Sequence, residues 1–364
     1  MGGTNTVPTY RPDLASIPRY IPGKPIEEVA RELGIESIDK LASNECPTEP
    51  FPEVIEAIAA AGATVNRYPD SGQYELTKEI ASHHGVDPSS VWVGAGSSDI
   101  LRCAALSVGG PGTSAVFSHP SFVMYRIATL VAHAEPIAVP LDDHFGHDLD
   151  AMLGAIRDDT TILYVCNPNN PTGGIRSGAD VREFVDAVDD RITVIIDEAY
   201  SEYVTDPDHE SMLTRAPTYP NVLVARTFSK IYGLAGLRVG YGIGHPDLIG
   251  ELRTTQPPFA VTAPGQAAAI EALKHQDQVT ERSMLNAEGR VLLLKGLGDR
   301  GYRVAASEAN FVYFVPEDDA SGLFDGLLRE GVIIRVLGEG VRVTVGTESE
   351  NRHFLEALDT VGRV

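Results

Sequence analysis

The sequence predicts an α/β protein in which a large three-layer αβα domain, built on a mostly parallel seven-stranded sheet, precedes a small α+β domain. Seven short runs are almost continuously apolar instead of alternating, which is typical of strands covered on both faces. Helical patterns between several of these runs favour parallel strand–helix repeats. The pattern changes near Pro264. We therefore expect an N-terminal arm with part of the small domain at 1–50, the large domain at 51–264 and the small domain at 265–364.

Each element is expected from its own pattern. The first 50 residues are rich in proline and turn-forming residues and contain one helical segment, Ile26–Leu33. Strands of the large domain are expected at 91–93, 115–117, 137–139, 161–165, 193–196, 222–225 and 239–243. Further helices are expected at 100–107, 179–187, 265–274, 282–297, 320–330 and 350–361. Extended runs in the C-terminal third are expected at 302–315, 332–336 and 341–345.

The net charge of the chain argues against some classes of binding partner. It has 29 lysine and arginine residues against 51 aspartate and glutamate residues, a formal net charge of −22. This surplus argues against an extended surface for nucleic acid or anionic membrane, because each phosphate contact needs local positive charge. No apolar stretch approaches the roughly 18 residues that span a bilayer, and the N-terminus shows no charged-then-apolar export signal. We therefore expect a cytoplasmic protein.

Cysteines and histidines form no metal-binding pattern in the sequence. Cys46, Cys103 and Cys166 lie far apart without a CxxC pair, which is typical of reduced cytoplasmic thiols. His83 and His84 are adjacent, and two ligands on one helix face would be a turn apart. We expect no metal site, and the role of Cys46 stays open.

A strand that ends in a glycine- and serine-rich turn is the first candidate site. Residues 92–99 run through this turn into a helix that starts with Ser97, Ser98 and Asp99. Free N–H groups at a helix N-terminus attract anions, and serine hydroxyls add donors. The same pattern is common in ordinary helix caps, so alone it is a weak indication of a phosphate site.

Two further polar segments follow apolar strands. Residues 166–173 hold Asn170 rigidly beside prolines, which suits ligand positioning, although such strings also form simple turns. Asp197 ends a strand, and Tyr200 follows three residues later. A carboxylate at the end of an apolar strand needs a positive or hydrogen-bonding partner, which is either a ligand or a structural ion pair.

Lys230 is the most informative residue of the chain. Only six lysines occur, and Lys230 is the one between an apolar strand and a glycine-rich apolar segment. Partial desolvation there would lower the pKa of the amine and make it a usable nucleophile. Arg238, eight residues later, would bring a guanidinium suited to phosphate. An amine for a Schiff base, a carboxylate for a pyridine nitrogen, a phenol and amide for a ring oxygen, and a phosphate-binding turn together describe pyridoxal 5′-phosphate.

The chain resembles the fold-type I aminotransferases and, among them, the histidinol-phosphate aminotransferase family. The resemblance covers nearly the whole chain. Its motifs are residues 20–25 (YIPGKP), 40–45 (KLASNE), 67–70 (RYPD), 167–173 (NPNNPTG), 197–200 (DEAY), 227–241 (TFSKIYGLAGLRVGY) and 341–347 (VRVTVGT).

The resemblance implies a role for each polar segment. Lys230 would form the Schiff base with the cofactor and move the proton between substrate and cofactor. Asp197 would pair with the pyridine nitrogen, while Asn170 and Tyr200 would hydrogen-bond the ring hydroxyl. Phe122 would stack on the ring. Other cofactor contacts would come from Ser97, Ser98, Asp99, Thr227, Ser229 and Arg238, most of them at the phosphate.

Substrate and partner contacts are implied in the same way. Tyr68 would reach the cofactor phosphate of a neighbouring subunit, so a homodimer is expected. Arg342 would clamp the α-carboxylate of a small-molecule amino donor or 2-oxo acid. The substrate contacts as a set would be Tyr20, Asn44, Arg335 and Arg342.

Three departures from the family pattern bear on the substrate. The family usually has Gly-Ser-Asp-Glu at residues 96–99, and a backbone cradle survives the change seen here. It usually has asparagine where this chain has Cys46. Phe122 replaces the commoner tyrosine, and the stretch between Arg335 and Arg342 is short. These last two features are similar to the related aromatic amino-acid aminotransferases.

Arg335 and Tyr20 decide the expected substrate. In histidinol-phosphate aminotransferases an arginine at the position of Arg335 meets the substrate phosphate, whereas the alternative is a surface residue at a strand end. We expect conversion of L-histidinol phosphate and 2-oxoglutarate to imidazole-acetol phosphate and L-glutamate, with a phenylalanine or tyrosine aminotransferase as the alternative. A C–S lyase or decarboxylase fits the full motif set less well. A DNA-binding regulator would need a basic module, for which the chain has neither spare length nor a basic face.

Overall fold

The computed structural model describes residues 10, 12–21, 23–35, 37–317 and 320–362. The first nine residues of the expected N-terminal arm, and Pro22 of its motif, lie outside the described residues. The α-helices are α1 Ile26–Leu33, α2 Pro52–Gly62, α3 Tyr74–His84, α4 Ser97–Val108, α5 Val123–Val131, α6 Leu149–Gly154, α7 Gly178–Ala187, α8 Pro246–Leu252, α9 Ala263–Leu273, α10 Gln276–Gly298, α11 Ala320–Arg329 and α12 Glu348–Val361. The strands are β1 Asp39–Lys40, β2 Val91–Gly94, β3 Ser114–His119, β4 Glu135–Pro140, β5 Thr160–Cys166, β6 Thr193–Asp197, β7 Val222–Thr227, β8 Gly240–Gly244, β9 Arg303–Val304, β10 Phe311–Val315, β11 Val332–Ile333, β12 Arg335–Leu337 and β13 Gly340–Thr344.

A seven-stranded sheet forms the centre of the molecule, in the order β2-β8-β7-β6-β5-β3-β4. Neighbouring strands from β7 to β4 are parallel, and β8 runs antiparallel to both β2 and β7. Every residue of β6 is buried, and its central residues 194–196 are all apolar, as expected for a strand covered on both faces. The predicted α/β class and mostly parallel sheet are confirmed, and all seven predicted strands belong to this sheet.

The parallel arrangement places several strand ends at one edge. β5, β6 and β7 lie side by side and point the same way, so the segments that follow them meet there. Residues 166–173 begin at the last residue of β5, Asp197 is the last residue of β6, and Lys230 follows β7 by three residues. The polar segments of the sequence are therefore neighbours in space.

A second hydrophobic core lies in the C-terminal third. It is formed around a four-stranded sheet with the order β12-β13-β10-β9, packed with residues of α10, α11 and α12. A separate parallel pair joins β1 near the N-terminus to β11. The expected run 302–315 is two short strands, and 332–336 is divided at Ile334. The domain boundaries at residues 50 and 264 stay a prediction.

The described residues contain neither a membrane-spanning helix nor a cluster of metal ligands. Within the ranges given above, no helix is long and apolar enough to cross a membrane. In the same part of the chain, no group of three or more histidine, cysteine, aspartate or glutamate residues is arranged to hold a metal ion.

Candidate active site

A cavity of about 920 Å³ opens at the carboxyl edge of the central sheet. Its size is that of a pocket for a cofactor together with a small substrate. The structure brings to it all the predicted site residues except Asp99 and Tyr68. Those that line it are Tyr20, Asn44, Ser97, Ser98, Phe122, Asn170, Asp197, Tyr200, Thr227, Ser229, Lys230, Arg238, Arg335 and Arg342.

The start of α4 and the turn after β7 form one end of the cavity. Gly96 precedes Ser97 with a φ of 85°, and a Cβ at this position would lie 2.6 Å from Nη2 of Arg238. A Cβ on Gly240 would lie 2.4 Å from the backbone nitrogen of Ser97. Both glycines are therefore needed for the close approach of α4 to Arg238. Nη1 of Arg238 donates to Ser229 Oγ at 3.2 Å.

This end of the cavity suits a phosphate. The free N–H groups at the start of α4, the hydroxyls of Ser97, Ser98 and Thr227, and the guanidinium of Arg238 are all donors. Among the described residues Arg238 has no carboxylate partner, so its charge is available to an anion. Asp99 does not line the cavity. Its carboxylate lies 3.1 Å from Arg102 Nη2 and accepts a bond from Ala95 N, which fixes the turn itself.

Asp197 lies in the floor of the cavity at the end of β6. It is 2 % exposed, and its carboxylate accepts hydrogen bonds from Tyr125 OH at 2.8 Å and Ala199 N at 3.2 Å. Burial raises the pKa of Asp197 to about 6, against the opposite effect of these bonds and of Lys230. The carboxylate therefore ionises near neutral pH and can pair with a protonated ring nitrogen.

A network of amides and a phenol covers one side of the cavity. Tyr200 OH accepts hydrogen bonds from Asn44 Nδ2 at 3.0 Å and from Asn170 Nδ2 at 3.4 Å. Burial raises the pKa of Tyr200 above its usual value, so the phenol is neutral. Its hydroxyl proton is then free to be donated to a ligand oxygen.

Lys230 projects into the cavity from the turn after β7. Its Nζ lies 3.2 Å from the carbonyl oxygen of Asn44 and 3.4 Å from that of Ser43, and it sits over the Tyr200 ring. Desolvation is the main cause that lowers the pKa of Lys230 to about 7, and nearby Arg342 adds to it. A large fraction of the amine is therefore uncharged at neutral pH, as a nucleophile or base requires.

Two arginines face each other across the C-terminal side of the cavity. Arg335 and Arg342 are directly opposite in the antiparallel pair β12–β13, so their side chains lie on the same face. Nη1 of Arg342 donates to Asn170 Oδ1, and its Nη2 donates to the carbonyl of Ala42 at 2.8 Å. Nε of Arg342 is buried with no partner among the described residues.

The surroundings of Arg335 come from the N-terminal segment. Its guanidinium donates to the carbonyl of Ile21 and lies 5.9 Å from the centre of the Tyr20 ring. No carboxylate among the described residues pairs with either Arg335 or Arg342. The pair is therefore an uncompensated positive site.

Tyr68 is outside this cavity in the single chain. It is 82 % exposed, and its ring stacks on Phe259 with the centroids 4.5 Å apart. The structure of one chain does not bring it to the site.

Some residues of the site were missed by the sequence analysis. Tyr125 binds Asp197, the carbonyl of Ser43 approaches Lys230, and His119 and Arg126 line the cavity. Arg126 follows Phe122 by four residues, so helical spacing in α5 was the one sequence signal that linked it to the site.

The residues present fit pyridoxal 5′-phosphate. Glycines let Arg238 lie close to the start of α4, a buried carboxylate lies under the cavity, and an amine of lowered pKa faces it. The orphaned Nε of Arg342 leaves one buried donor at the cavity without a partner among the described residues.

Comparison with known proteins shows the family of the chain. A family model for aminotransferase class I and II matches residues 37–358. A histidinol-phosphate aminotransferase of Moorella thermoacetica is 40 % identical over 97 % of this chain and 93 % of the relative, and an aromatic amino acid aminotransferase of Rhodococcus erythropolis is 42 % identical over 96 % and 95 %. A crystal structure of histidinol-phosphate aminotransferase from Sinorhizobium meliloti, in complex with pyridoxal-5′-phosphate, superposes with a TM-score of 0.91 at 28 % identity and covers 99 % of both chains. The chain belongs to the class I and II aminotransferases.

Proposed function

We propose that this aminotransferase moves the amino group of L-histidinol phosphate to 2-oxoglutarate and forms imidazole-acetol phosphate and L-glutamate. The observation that carries the proposal is the cross-strand pair of Arg335 and Arg342. Like charges directly opposite each other destabilise a sheet unless an anion lies between them. Histidinol phosphate bears a dianionic phosphate ester where an ordinary amino acid bears a monoanionic carboxylate, so it is the better counter-charge for two guanidinium groups.

The second substrate of the pair uses the same charges. Glutamate and 2-oxoglutarate present an α-carboxylate that Arg342 would grip with two N–H groups, one of them the unpartnered Nε. Their second carboxylate would lie nearer Arg335. The names of the curated relatives, most of them histidinol-phosphate aminotransferases, support this choice of substrates.

We propose the following roles for the residues around the cofactor. Pyridoxal 5′-phosphate supplies an electron-withdrawing ring when it is bound. The Lys230 amine would take the proton from the Cα of the amino donor and, in the second half of the reaction, would give a proton to the Cα of the 2-oxo acid as it becomes the amino acid. Asp197 holds the ring nitrogen protonated, and Tyr200 with Asn170 hydrogen-bonds the ring hydroxyl. Phe122 covers one face of the ring and excludes water from it.

The phosphate of the cofactor would be held by the start of α4 and by the turn after β7. The side chains proposed for this contact are Ser97, Ser98, Thr227, Ser229 and Arg238. We further propose a homodimer in which Tyr68 of one subunit reaches the phosphate of the other. Its large exposed area and its stacking on Phe259 support a surface that a second subunit covers. Three free cysteines support a cytoplasmic location.

Aromatic amino acids are the second candidate donors. The relative from Rhodococcus erythropolis is as similar as the histidinol-phosphate enzymes. In the sequence resemblance, Phe122 is a feature shared with that group. An aromatic amino acid carries one carboxylate at Cα, so Arg335 would have no anion to bind. The role of Arg335 therefore separates the two candidates.

A comparison of two amino donors tests the proposal. We expect the native enzyme to have a higher kcat/KM for histidinol phosphate than for phenylalanine. Arg335→Gln should lower kcat/KM for histidinol phosphate about 10- to 100-fold, the effect of losing a hydrogen bond to a charged group, and that for phenylalanine much less. Arg329→Gln, which changes an exposed arginine in α11, is the matched control. A native preference for phenylalanine, or equal losses for both donors, would favour the aromatic function.

A further inference from the structure

Tyr125 occupies a buried position between two groups that face the cofactor. It lies in the first turn of α5, and its hydroxyl donates to Asp197 Oδ2 at 2.8 Å. Its ring meets the Phe122 ring edge-on, with centroids 5.7 Å apart and an interplanar angle of 90°. It also stacks on Tyr164 at 4.7 Å and 16°. One side chain thus contacts both the carboxylate and the aromatic ring on the floor and wall of the cavity.

We infer that Tyr125 is a positioning residue that holds the Asp197 carboxylate in its charged form and fixes the place of Phe122. The inference rests on the proposed role of Asp197 at the ring nitrogen of the cofactor. A phenol that donates its proton stabilises the ionised carboxylate more than the protonated acid. Only one other hydrogen bond to this carboxylate, from Ala199 N, is made by the described residues. Tyr125 therefore supplies half of its donors.

The charges around Asp197 make this donor important near neutral pH. Burial raises the pKa of Asp197 to about 6, and the Tyr125 hydrogen bond is the largest effect that opposes burial. Lys230 also lowers it, and Glu198 raises it. Cys166 and Tyr200 are the other titratable groups near Asp197, and a charge on either side chain would interact with the charge on Asp197. Without the donor, the carboxyl would stay protonated at pH values where the native group is ionised.

Tyr164 offers a matched control for the loss of a buried phenol. It is stacked on Tyr125 and fully buried, but its hydroxyl has no hydrogen-bond partner among the described residues. Tyr125→Phe and Tyr164→Phe each remove one hydroxyl from the same stacked pair. Only the first removes a donor from Asp197.

The test measures the affinity of the full chain for pyridoxal 5′-phosphate at pH 6.0 and at pH 8.5. Loss of the donor should raise the pKa of Asp197, which means that its acid ionisation constant falls about 10- to 100-fold. At pH 6.0 we expect Tyr125→Phe to weaken cofactor binding about tenfold relative to the native chain. At pH 8.5 we expect a difference of less than about twofold, because Asp197 is then charged in the variant as well as in the native chain. Tyr164→Phe should differ from the native chain by less than about twofold at both pH values.

Two results would overturn the inference. One is an equal weakening by Tyr125→Phe at both pH values, which a purely structural role would give. The other is a Tyr125→Phe variant that behaves like Tyr164→Phe. The variant Asp197→Asn separates this failure from that of the proposed function. If Asp197→Asn binds the cofactor as tightly as the native chain, the role of Asp197 is wrong. If it binds weakly while Tyr125→Phe shows no loss confined to pH 6.0, the role of Tyr125 alone is wrong.

Discussion

The Lys230 amine should destabilise the cofactor-free protein, so its removal should make the fold more stable. Its pKa is about 7 in the folded chain, against an ordinary value of 10.5. Between these pH values the unfolded chain binds more protons than the folded one, so the free energy of unfolding rises with pH across this window. At pH 7.5 the difference in pKa corresponds to a penalty of about 4 kcal/mol, and at pH 9.5 to about 1.4 kcal/mol.

Lys230→Met removes this penalty and keeps an unbranched side chain. Part of the gain is offset because two hydrogen bonds, to the carbonyls of Ser43 and Asn44, are lost, although at 3.4 and 3.2 Å both are long. Lys230 is also half-buried and not fully buried, because its amine faces the cavity, and water there reduces the penalty. We therefore expect a net stabilisation of about 1–4 kcal/mol at pH 7.5.

Urea unfolding of the cofactor-free full chain at pH 7.5 and 9.5 measures this effect. The gain from Lys230→Met should be clearly smaller at pH 9.5 than at pH 7.5. Lys78→Met is the control, because Lys78 is an exposed lysine of α3 whose removal should change the free energy of unfolding by less than about 0.5 kcal/mol. The reasoning is refuted if Lys230→Met is less stable than the native chain at pH 7.5. It is also refuted if the gain is the same at both pH values.

Three further substitutions test other parts of the site and its support. Arg342→Lys keeps the charge but loses the planar guanidinium group, so KM for 2-oxoglutarate should rise about tenfold or more in steady-state assays. An unchanged KM would contradict the proposed contact of Arg342 with the α-carboxylate. Glu198→Gln breaks the buried ion pair with Arg226, whose Nη2 lies 2.7 Å from Glu198 Oε2, while Glu202 stays 3.3 Å from Arg226 Nη1 and still compensates part of the charge. Urea unfolding should therefore show a loss of about 1–3 kcal/mol, whereas a loss below about 0.5 kcal/mol would show that the pair carries little stability. Tyr68→Phe should weaken binding of pyridoxal 5′-phosphate, while sedimentation should still show a dimer. If the native chain sediments as a monomer, the proposed contact between subunits is ruled out.

The site residues that could be predicted from the sequence are charged residues next to apolar segments. Lys230 and Asp197 are charged groups at the ends of apolar strands, and such a position has a high desolvation cost wherever the rest of the chain lies. Parallel strand ends then meet at one edge of the sheet, so local sequence was enough to group these residues. The fold class could be predicted for the same reason, because strands buried on both faces are apolar throughout.

Residues whose role depends on a distant partner could not be predicted in this way. Tyr125 has the pattern of an ordinary core residue of an amphipathic helix, and its function exists only through Asp197, 72 residues later in the chain. Asp99 shows the opposite case. Its place beside two serines predicted a cofactor contact, but a carboxylate in the first turn of α4 reaches Arg102 one turn further along the helix.

The register in which β12 pairs with β13 could not be predicted from the local sequence pattern either. The short stretch between Arg335 and Arg342 was visible in the sequence, but the two face each other only because a two-residue turn, with Gly338 at a φ of 65°, joins the strands. A turn one residue longer would change the pairing and place the two side chains on opposite faces.

The pairing of β1 with β11 has a consequence for how the chain is made in the cell. Asn44, close after β1, donates its backbone N–H to Thr344 Oγ1, and these residues are 300 positions apart. At about 5–20 residues per second, a ribosome needs roughly 15–60 s to make the intervening chain. The early segment must wait for that time without its final neighbours, so one wall of the cavity is completed only after residue 344 has been made.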